Sequence, residues 1–528
     1  MKKIFVLVLS LILVVSNTAF ASETGDNTVD ENLIIELYER VENPEAWLDF
    51  IEKHSEDDLG QWLPLLLKKM LHDEHKKEVV DMTYTSVTTT YDWGPSVNKL
   101  VLDLKQEVKA DILTKDMFHV ESVRTFKDFS FQTFSFAENA SEHVADRNVT
   151  EIYLSDAEGN KVENSQYITL EMEVGPNLSE GAALNYNILT NRNSFVDTYY
   201  KISLNPGAVL ESVDDQALTF LPAAEDEMDK NINGLADKFV HNQEFSSNEI
   251  DLLYASYEPE ADEALPLIIW LHGAGEGGKN TYINVMGNEA SNFVSDEYQA
   301  FFGEKGAFVL APQAPTMWMD FDGTGIYNSD VEGSMGHSYY TETLMALINE
   351  YVENHNVDMN RIYIGGCSNG GYMTVNMILE YPEYFAAAFP ICQAYSVDWL
   401  SEEKINSIKS LPIWMTHSLD DSVLPIAEGE KDGIFVYNVE KDEDGKPILI
   451  DDYSNALYNR LLEAGSENIY YTVYDHVVDT SGQYVDDMGN PHQYMGHWSW
   501  IYTLNNEVSE MIDGQEITIF EWLGMQSK

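Results

Sequence analysis

Ser368 stands in Gly366-Cys367-Ser368-Asn369-Gly370, between a short apolar run (Ile362, Tyr363, Ile364) and a segment from Gly371 to Glu380 with apolar residues at helical spacing. Tyr381-Pro382 closes that segment. Strand, Gly-x-Ser-x-Gly turn and helix in this order are the sequence form of a nucleophile elbow. The chemistry it suggests is nucleophilic attack by an alcohol. A serine hydroxyl does this only when lifted clear of its backbone and placed beside a base. Gly366 and Gly370 carry no Cβ, so the chain can reverse sharply and the helix can pack close beneath the serine.

Such a serine needs a base, an acid to orient the base, and hydrogen-bond donors for the oxyanion. The chain offers a candidate for each in the order Ser…Asp…His. An apolar run, Leu411 to Thr416, ends in His417-Ser418-Leu419-Asp420-Asp421-Ser422-Val423-Leu424-Pro425. A carboxylate leaving a strand two strands beyond the elbow can reach the base. Asp421 is preferred over Asp420 for its spacing to Val423 and Pro425, and His417 reads as structural. Among His417, His476, His492 and His497, the base is assigned to His497, with Gly496 before it and Trp498 and Trp500 after it. A mobile entry and a packed exit suit a positioned base. The run Leu265 to Leu271 leads into His272-Gly273-Ala274-Gly275-Glu276-Gly277-Gly278, a turn that exposes backbone N–H groups. The expected oxyanion donors are the amides of Asn369 and Ala274, with Gly275 as substitute for the second. A phosphate loop is the rival reading of these glycines, but the lysine and Ser/Thr of a P-loop are missing. Trp318 is the candidate substrate-binding residue, lining an acyl or alcohol pocket. An ordinary buried tryptophan is the alternative.

The elements that must position these residues change character along the chain. Met1-Lys2-Lys3, an apolar run from Ile4 to Val15 and Ala19-Phe20-Ala21 read as a secretory signal peptide over residues 1–21. The run is shorter than the ~20 residues a membrane span needs, so an exported, soluble mature protein, extracellular or periplasmic, is expected. Residues 28–76 carry helical periodicity (Leu33, Ile34, Leu37, Tyr38, Val41, then Trp62 to Leu71), punctuated by Pro44 and Gly60. Residues 79–210 switch to short alternating runs rich in Thr, Val, Tyr and Phe, such as Met82 to Tyr91, Phe118 to Val123 and Tyr167 to Val174. These predict an antiparallel β-sandwich. Residues 237–528 alternate near-continuous apolar strands (Leu265 to Leu271, Ala307 to Ala311, Arg361 to Ile364, Phe385 to Ile391, Leu411 to Thr416, Ile469 to Val473) with helical stretches. That is the pattern of an α/β domain with a mostly parallel sheet buried on both faces. Two acidic insertions, Gly429 to Asp452 and Val477 to Met495, interrupt it near the candidate acid and base.

Composition narrows the function classes. Asp and Glu number 90 against 30 Lys and Arg, a formal charge of −60 that becomes −62 when Lys2 and Lys3 leave with the signal peptide. Such a surface repels polyphosphate and anionic membranes, which argues against nucleic-acid binding. The two cysteines, Cys367 and Cys392, cannot build a disulfide framework for a chain of 528 residues.

On His272 to Gly278, Gly366 to Gly370, Asp421 to Pro425 and Gly496 to Trp500, the segment from about Pro266 to Tyr502 resembles the α/β-hydrolase superfamily. It is similar to secreted esterases of the polyhydroxybutyrate depolymerase-like and feruloyl-esterase-like groups. Tyr91-Asp92-Trp93-Gly94-Pro95 and the strands after it resemble the immunoglobulin-like domain that precedes the hydrolase in some bacterial esterases. The resemblance implies a serine carboxylesterase that uses no metal and no cofactor. Its partner would be an ester substrate, polysaccharide-linked or a small acyl ester. Two rivals are a prolyl-oligopeptidase-like peptidase, for which no propeller is visible, and a binding protein on an inactive hydrolase scaffold.

Overall fold

The computed structural model describes residues 78–327, 336–433 and 436–528. The expected signal peptide and the 28–76 helical segment lie outside them.

Two sheets enclose the core of the leading domain. The larger has the spatial order Met228–Ile232, Thr83–Tyr91, Gly94–Asp103, Tyr167–Met172, Val149–Ser155, and the smaller Asp197–Leu204, Phe118–Phe126, Ser141–Arg147. Leu100, Leu102, Ile168 and Leu170 from the first meet Val120, Tyr200 and Ile202 from the second in one apolar cluster. β-Branched and aromatic residues favour this pleated, half-buried setting. Within these two sheets the pairings are antiparallel except at one edge, where Met228–Ile232 runs parallel to Thr83–Tyr91. A hairpin, Leu184–Asn187 with Arg192–Phe195, projects from this domain as a separate two-stranded ribbon.

The second domain is an eight-stranded sheet of β1 (Val240–Ser247), β2 (Ile250–Tyr257), β3 (Leu265–Leu271), β4 (Phe308–Gln313), β5 (Val357–Cys367), β6 (Ala387–Ile391), β7 (Ile413–Ser418) and β8 (Ile469–Tyr474). The spatial order is β1-β2-β4-β3-β5-β6-β7-β8. β1, β2 and β4 pair antiparallel, and from β4 to β8 every pairing is parallel. Every residue of β3, β4, β6 and β7 is buried, as a parallel sheet covered on both faces requires. Successive side chains divide between the faces. Leu267, Ile269, Ile362, Ile364, Ile413 and Met415 join one core, while Ile268, Trp270, Tyr363, Ala387, Phe389 and Trp414 join the other. Residues from the helices Thr341–Asn354 and Asn369–Glu380 (α1) fill the first, and Ile501, Phe520 and Trp522 near the C-terminus fill the second.

β1 and β2 stand ahead of the first strand that the apolar runs predict. β1 lies at the sheet edge with β2 beside it, and β1 mostly alternates exposed and partly buried residues. An edge strand can satisfy the sheet without a continuous apolar run. Because β3, β5, β7 and β8 are parallel, the chain leaves all four at the same edge of the sheet, and that edge is where open α/β sheets place their sites.

Candidate active site

Four segments meet at that edge. Ser368 sits between β5 and α1 with φ 54° and ψ −113°, a conformation strained for a residue with a Cβ. Its backbone N–H donates to the Ile391 carbonyl at 2.9 Å, and its carbonyl accepts from Tyr372 N–H at 2.9 Å. A Cβ on Gly366 or Gly370 would overlap the Leu271 carbonyl at the end of β3. Neither glycine has positive φ. They are required by close approach, because the turn and α1 press directly against the neighbouring strand.

His497 Nε2 lies 2.9 Å from Ser368 Oγ, and His497 Nδ1 lies 2.7 Å from Asp421 Oδ2. Ser368 is partly exposed, whereas His497 and Asp421 are buried. Asp421 Oδ1 accepts from Val423 N–H and Leu424 N–H at 2.8 Å each, so the spacing that favoured Asp421 corresponds to a turn folded around its carboxylate. Burial pushes the Asp421 carboxyl up, but the imidazoles of His497 and His417 outweigh it and hold the group well below the usual range.

The sequence reading misses a partner in His417. Its Nε2 is 3.0 Å from both Asp421 Oδ2 and the Leu424 carbonyl, while Nδ1 is 2.9 Å from Ser454 Oγ. Two acceptors face Nε2, so that nitrogen carries the proton and donates to Asp421. His417 is therefore structural in a specific sense: it orients the acid. Its placement four residues before Asp421, at a strand end, is the only sequence signal for this.

Asp420 supports the same loop differently. The Ser418 hydroxyl is 2.7 Å from both Asp420 Oδ1 and the Gly496 carbonyl. Asp420 Oδ2 is 2.9 Å from His476 Nδ1 and 3.2 Å from Gln493 Nε2. A Cβ on Gly496 would overlap Asp420, so this glycine lets the loop that carries His497 lie tight against the exit of β7. His492 packs on Tyr494 with ring centroids 4.9 Å apart.

On the other side of the serine, His272 stiffens the 272–278 loop. Its Nδ1–H donates to the Gly273 carbonyl at 2.6 Å and its Nε2 accepts from Ala314 N–H at 3.1 Å. Burial pushes the His272 imidazole down to about 3, which keeps this tautomer neutral near neutral pH. Among the described residues no acceptor takes the Ala274 or Asn369 N–H. Asn369 is the first residue of α1, where N–H groups are free by geometry. Asn369 Oδ1 accepts from Trp318 N–H at 2.6 Å.

Trp318 itself is fully buried, with its ring centroid 5.1 Å from that of His272 and 6.0 Å from that of Tyr340. It packs within the hydrolase core. Cys367 and Cys392 are free, buried thiols. Among the described residues, the one His/carboxylate group close enough to share a metal ion is His119, Glu121 and Asp146, in the leading domain. No helix among the described residues is long and apolar enough to cross a membrane.

Residues 83–215 match the esterase Ig-like N-terminal domain family, and residues 254–471 match the phospholipase/carboxylesterase family of α/β-hydrolases. A solved structure described as a thermostable esterase superposes with a TM-score of 0.62 at 24% identity, covering 84% of this chain and 100% of its own. Feruloyl esterase B of Neurospora crassa is 27% identical over 158 residues, which is 29% of this chain and 48% of the relative. Feruloyl esterase B of Thermothelomyces thermophilus is 26% identical over 156 residues, with the same coverage. The chain thus spans about half the length of these relatives. A probable chloroplastic glutamyl endopeptidase of Arabidopsis thaliana is 24% identical over 216 residues, 40% of this chain and 21% of the relative.

Proposed function

We propose that this chain, an α/β-hydrolase domain preceded by an esterase-type immunoglobulin-like domain, is a serine carboxylesterase acting through Ser368, His497 and Asp421. The observation that carries the reading is the unbroken line of hydrogen bonds, 2.9 Å from Ser368 Oγ to His497 and 2.7 Å from His497 to Asp421. His497 Nε2 takes the Ser368 proton as Oγ attacks the ester carbonyl, and the imidazolium is stabilised by the buried Asp421 carboxylate. The oxyanion develops between the amides of Asn369 and Ala274. His497 then returns the proton to the departing alcohol. Water, deprotonated by the same imidazole, releases the acid from the acyl-enzyme. Every proton transfer is local to side chains of the hydrolase domain.

Ser368→Ala is expected to lower kcat on p-nitrophenyl butyrate by roughly 10⁶-fold while circular dichroism and melting stay those of the parent. A fluorophosphonate probe should label the parent and not the variant. Retained hydrolysis would place the nucleophile elsewhere. A panel of acetyl, butyryl and feruloyl esters reads the acyl preference, the last because two feruloyl esterases are among the relatives. Peptide cleavage is the second reading, favoured by the endopeptidase match. Turnover of peptide amides without turnover of esters would select it. Export is part of the proposal, and recovery of a mature N-terminus at Ser22 tests it.

A further inference from the structure

We propose that the Leu184–Asn187/Arg192–Phe195 hairpin of the leading β-domain is a working part of the oxyanion hole, with Arg192 and Asn193 as positioning residues for the Ala274 loop. The inference rests on Ser368 as nucleophile and the Ala274 amide as donor. Arg192 Nη1 donates to the Ala274 carbonyl at 3.0 Å, and Asn193 Nδ2 donates to Glu276 Oε1 at 2.8 Å. Both contacts cross from one domain to the other, and both land on the short turn Ala274–Glu276.

The peptide planes explain what these contacts do. In a trans peptide the N–H points opposite to the C=O of the same plane, and the described residues contain no cis bond. His272 Nδ1–H holds the Gly273 carbonyl, which sets the direction of the Ala274 N–H. Arg192 holds the next carbonyl, that of Ala274, which sets the Gly275 N–H. The plane on each side of Ala274 is therefore anchored, one from inside the hydrolase domain and one from the hairpin. A backbone donor cannot be steered by its own side chain, so its precision depends on such anchors. Fixed donors are what oxyanion stabilisation requires, since reorientation during the reaction forfeits the benefit.

The glycines of the loop mark the same contact. A Cβ on Gly275 would come within 3.0 Å of Asn193 Nδ2 and 3.7 Å of Tyr186, and one on Gly277 would overlap the Arg192 guanidinium and the Thr316 carbonyl. Side chains at either position would push the hairpin off. Arg192 is partly buried and, among the described residues, forms no ion pair. A cation withdrawn from water for a backbone carbonyl is costly, which fits a positional role better than a stabilising one.

Full-length Arg192→Ala, Arg192→Lys and Asn193→Ala test the proposal. Each is read by kcat and KM on p-nitrophenyl butyrate, by melting temperature, and by affinity for an aryl trifluoromethyl ketone, whose serine adduct places an oxyanion in the hole. We expect Arg192→Ala to lower kcat at least tenfold with KM within twofold, and to weaken ketone binding by the same factor as kcat/KM. Arg192→Lys should recover part of both losses, because an ammonium can still donate to the carbonyl. Asn193→Ala should give a loss of about threefold in the same pattern, and it carries the test if Arg192→Ala does not fold. Two results would overturn the proposal: kcat within twofold of the parent in a folded variant, or a fall in kcat with ketone affinity unchanged. A parent that turns over no ester would instead overturn the hydrolase reading, independently of the hairpin.

Discussion

The two sides of Ser368 are built to different plans. On the base side, Asp421 receives donors at both oxygens, from His497, His417, Val423 and Leu424, and all of them lie at the C-terminal end of β7 or in the loops that follow β7 and β8. On the proposed oxyanion side the donors are two bare backbone amides, and the loop carrying one of them takes part of its support from another domain. The difference follows from the chemistry. A side-chain relay can be oriented by neighbours a few residues away, because charge attracts partners strongly. A backbone amide has no handle of its own and must be placed by whatever holds the chain around it.

Asp421→Asn should have the largest effect that sharpens this contrast. An amide at this position no longer holds His497 in the tautomer that accepts from the serine, and kcat should fall roughly 10⁴-fold with the fold retained by circular dichroism. A loss comparable to that of Arg192→Ala would mean that the two sides are equally replaceable and would break the distinction. His417→Ala comes next. It removes one of four donors to a carboxylate, a bond worth roughly 1.5–3 kcal/mol, of which only part is felt in the transition state. We expect kcat to fall by about tenfold with KM unchanged, and ketone binding to be less affected than by Arg192→Ala. Steady-state kinetics on one ester reads both.

The smallest effect probes the seam between the domains. Glu289 is buried, its Oε2 has no hydrogen-bond partner among the described residues, and burial followed by the neighbouring Asp92 raises its carboxyl well above 4.5. Asp92 belongs to the leading domain and accepts from Asn505 at 2.8 Å. Between pH 4.5 and the raised folded value, the folded protein keeps a proton that the unfolded chain releases, so stability falls as pH rises through that window. Glu289→Gln removes the penalty. It should raise the melting temperature by roughly 2–4 °C at pH 8 and by less at pH 5, with little effect on kcat. Equal shifts at both pH values would show that Glu289 does not titrate differently on folding.

The motifs were legible where local backbone demands leave a mark. Glycines at 366 and 370 announce a turn that presses on a strand, and apolar runs announce β3 to β7 because the central part of each is buried on both faces; β8, at the far sheet edge and only partly buried, is announced by its β-branched and aromatic residues. β1, at the sheet edge, and β2 beside it were not legible, since the exposed residues along them dilute the apolar pattern. Trp318 could be read as either core or pocket, because burial is a property of the packed molecule and not of the residue. His417 carries no signal of its own beyond its distance from Asp421.

The sequence alone determined the order of the candidate residues along the chain: a glycine-rich loop after one strand, Ser368 after another, then Asp421 and His497. It could do so because each of these depends on residues adjacent in the chain. Only the tertiary structure decided that parallel strand ends bring Ser368, His497 and Asp421 within hydrogen-bond reach, and that Arg192, 82 residues before Ala274, meets its carbonyl across a domain seam. Contacts of that range are set by how whole sheets pack, and no local preference of the chain records them.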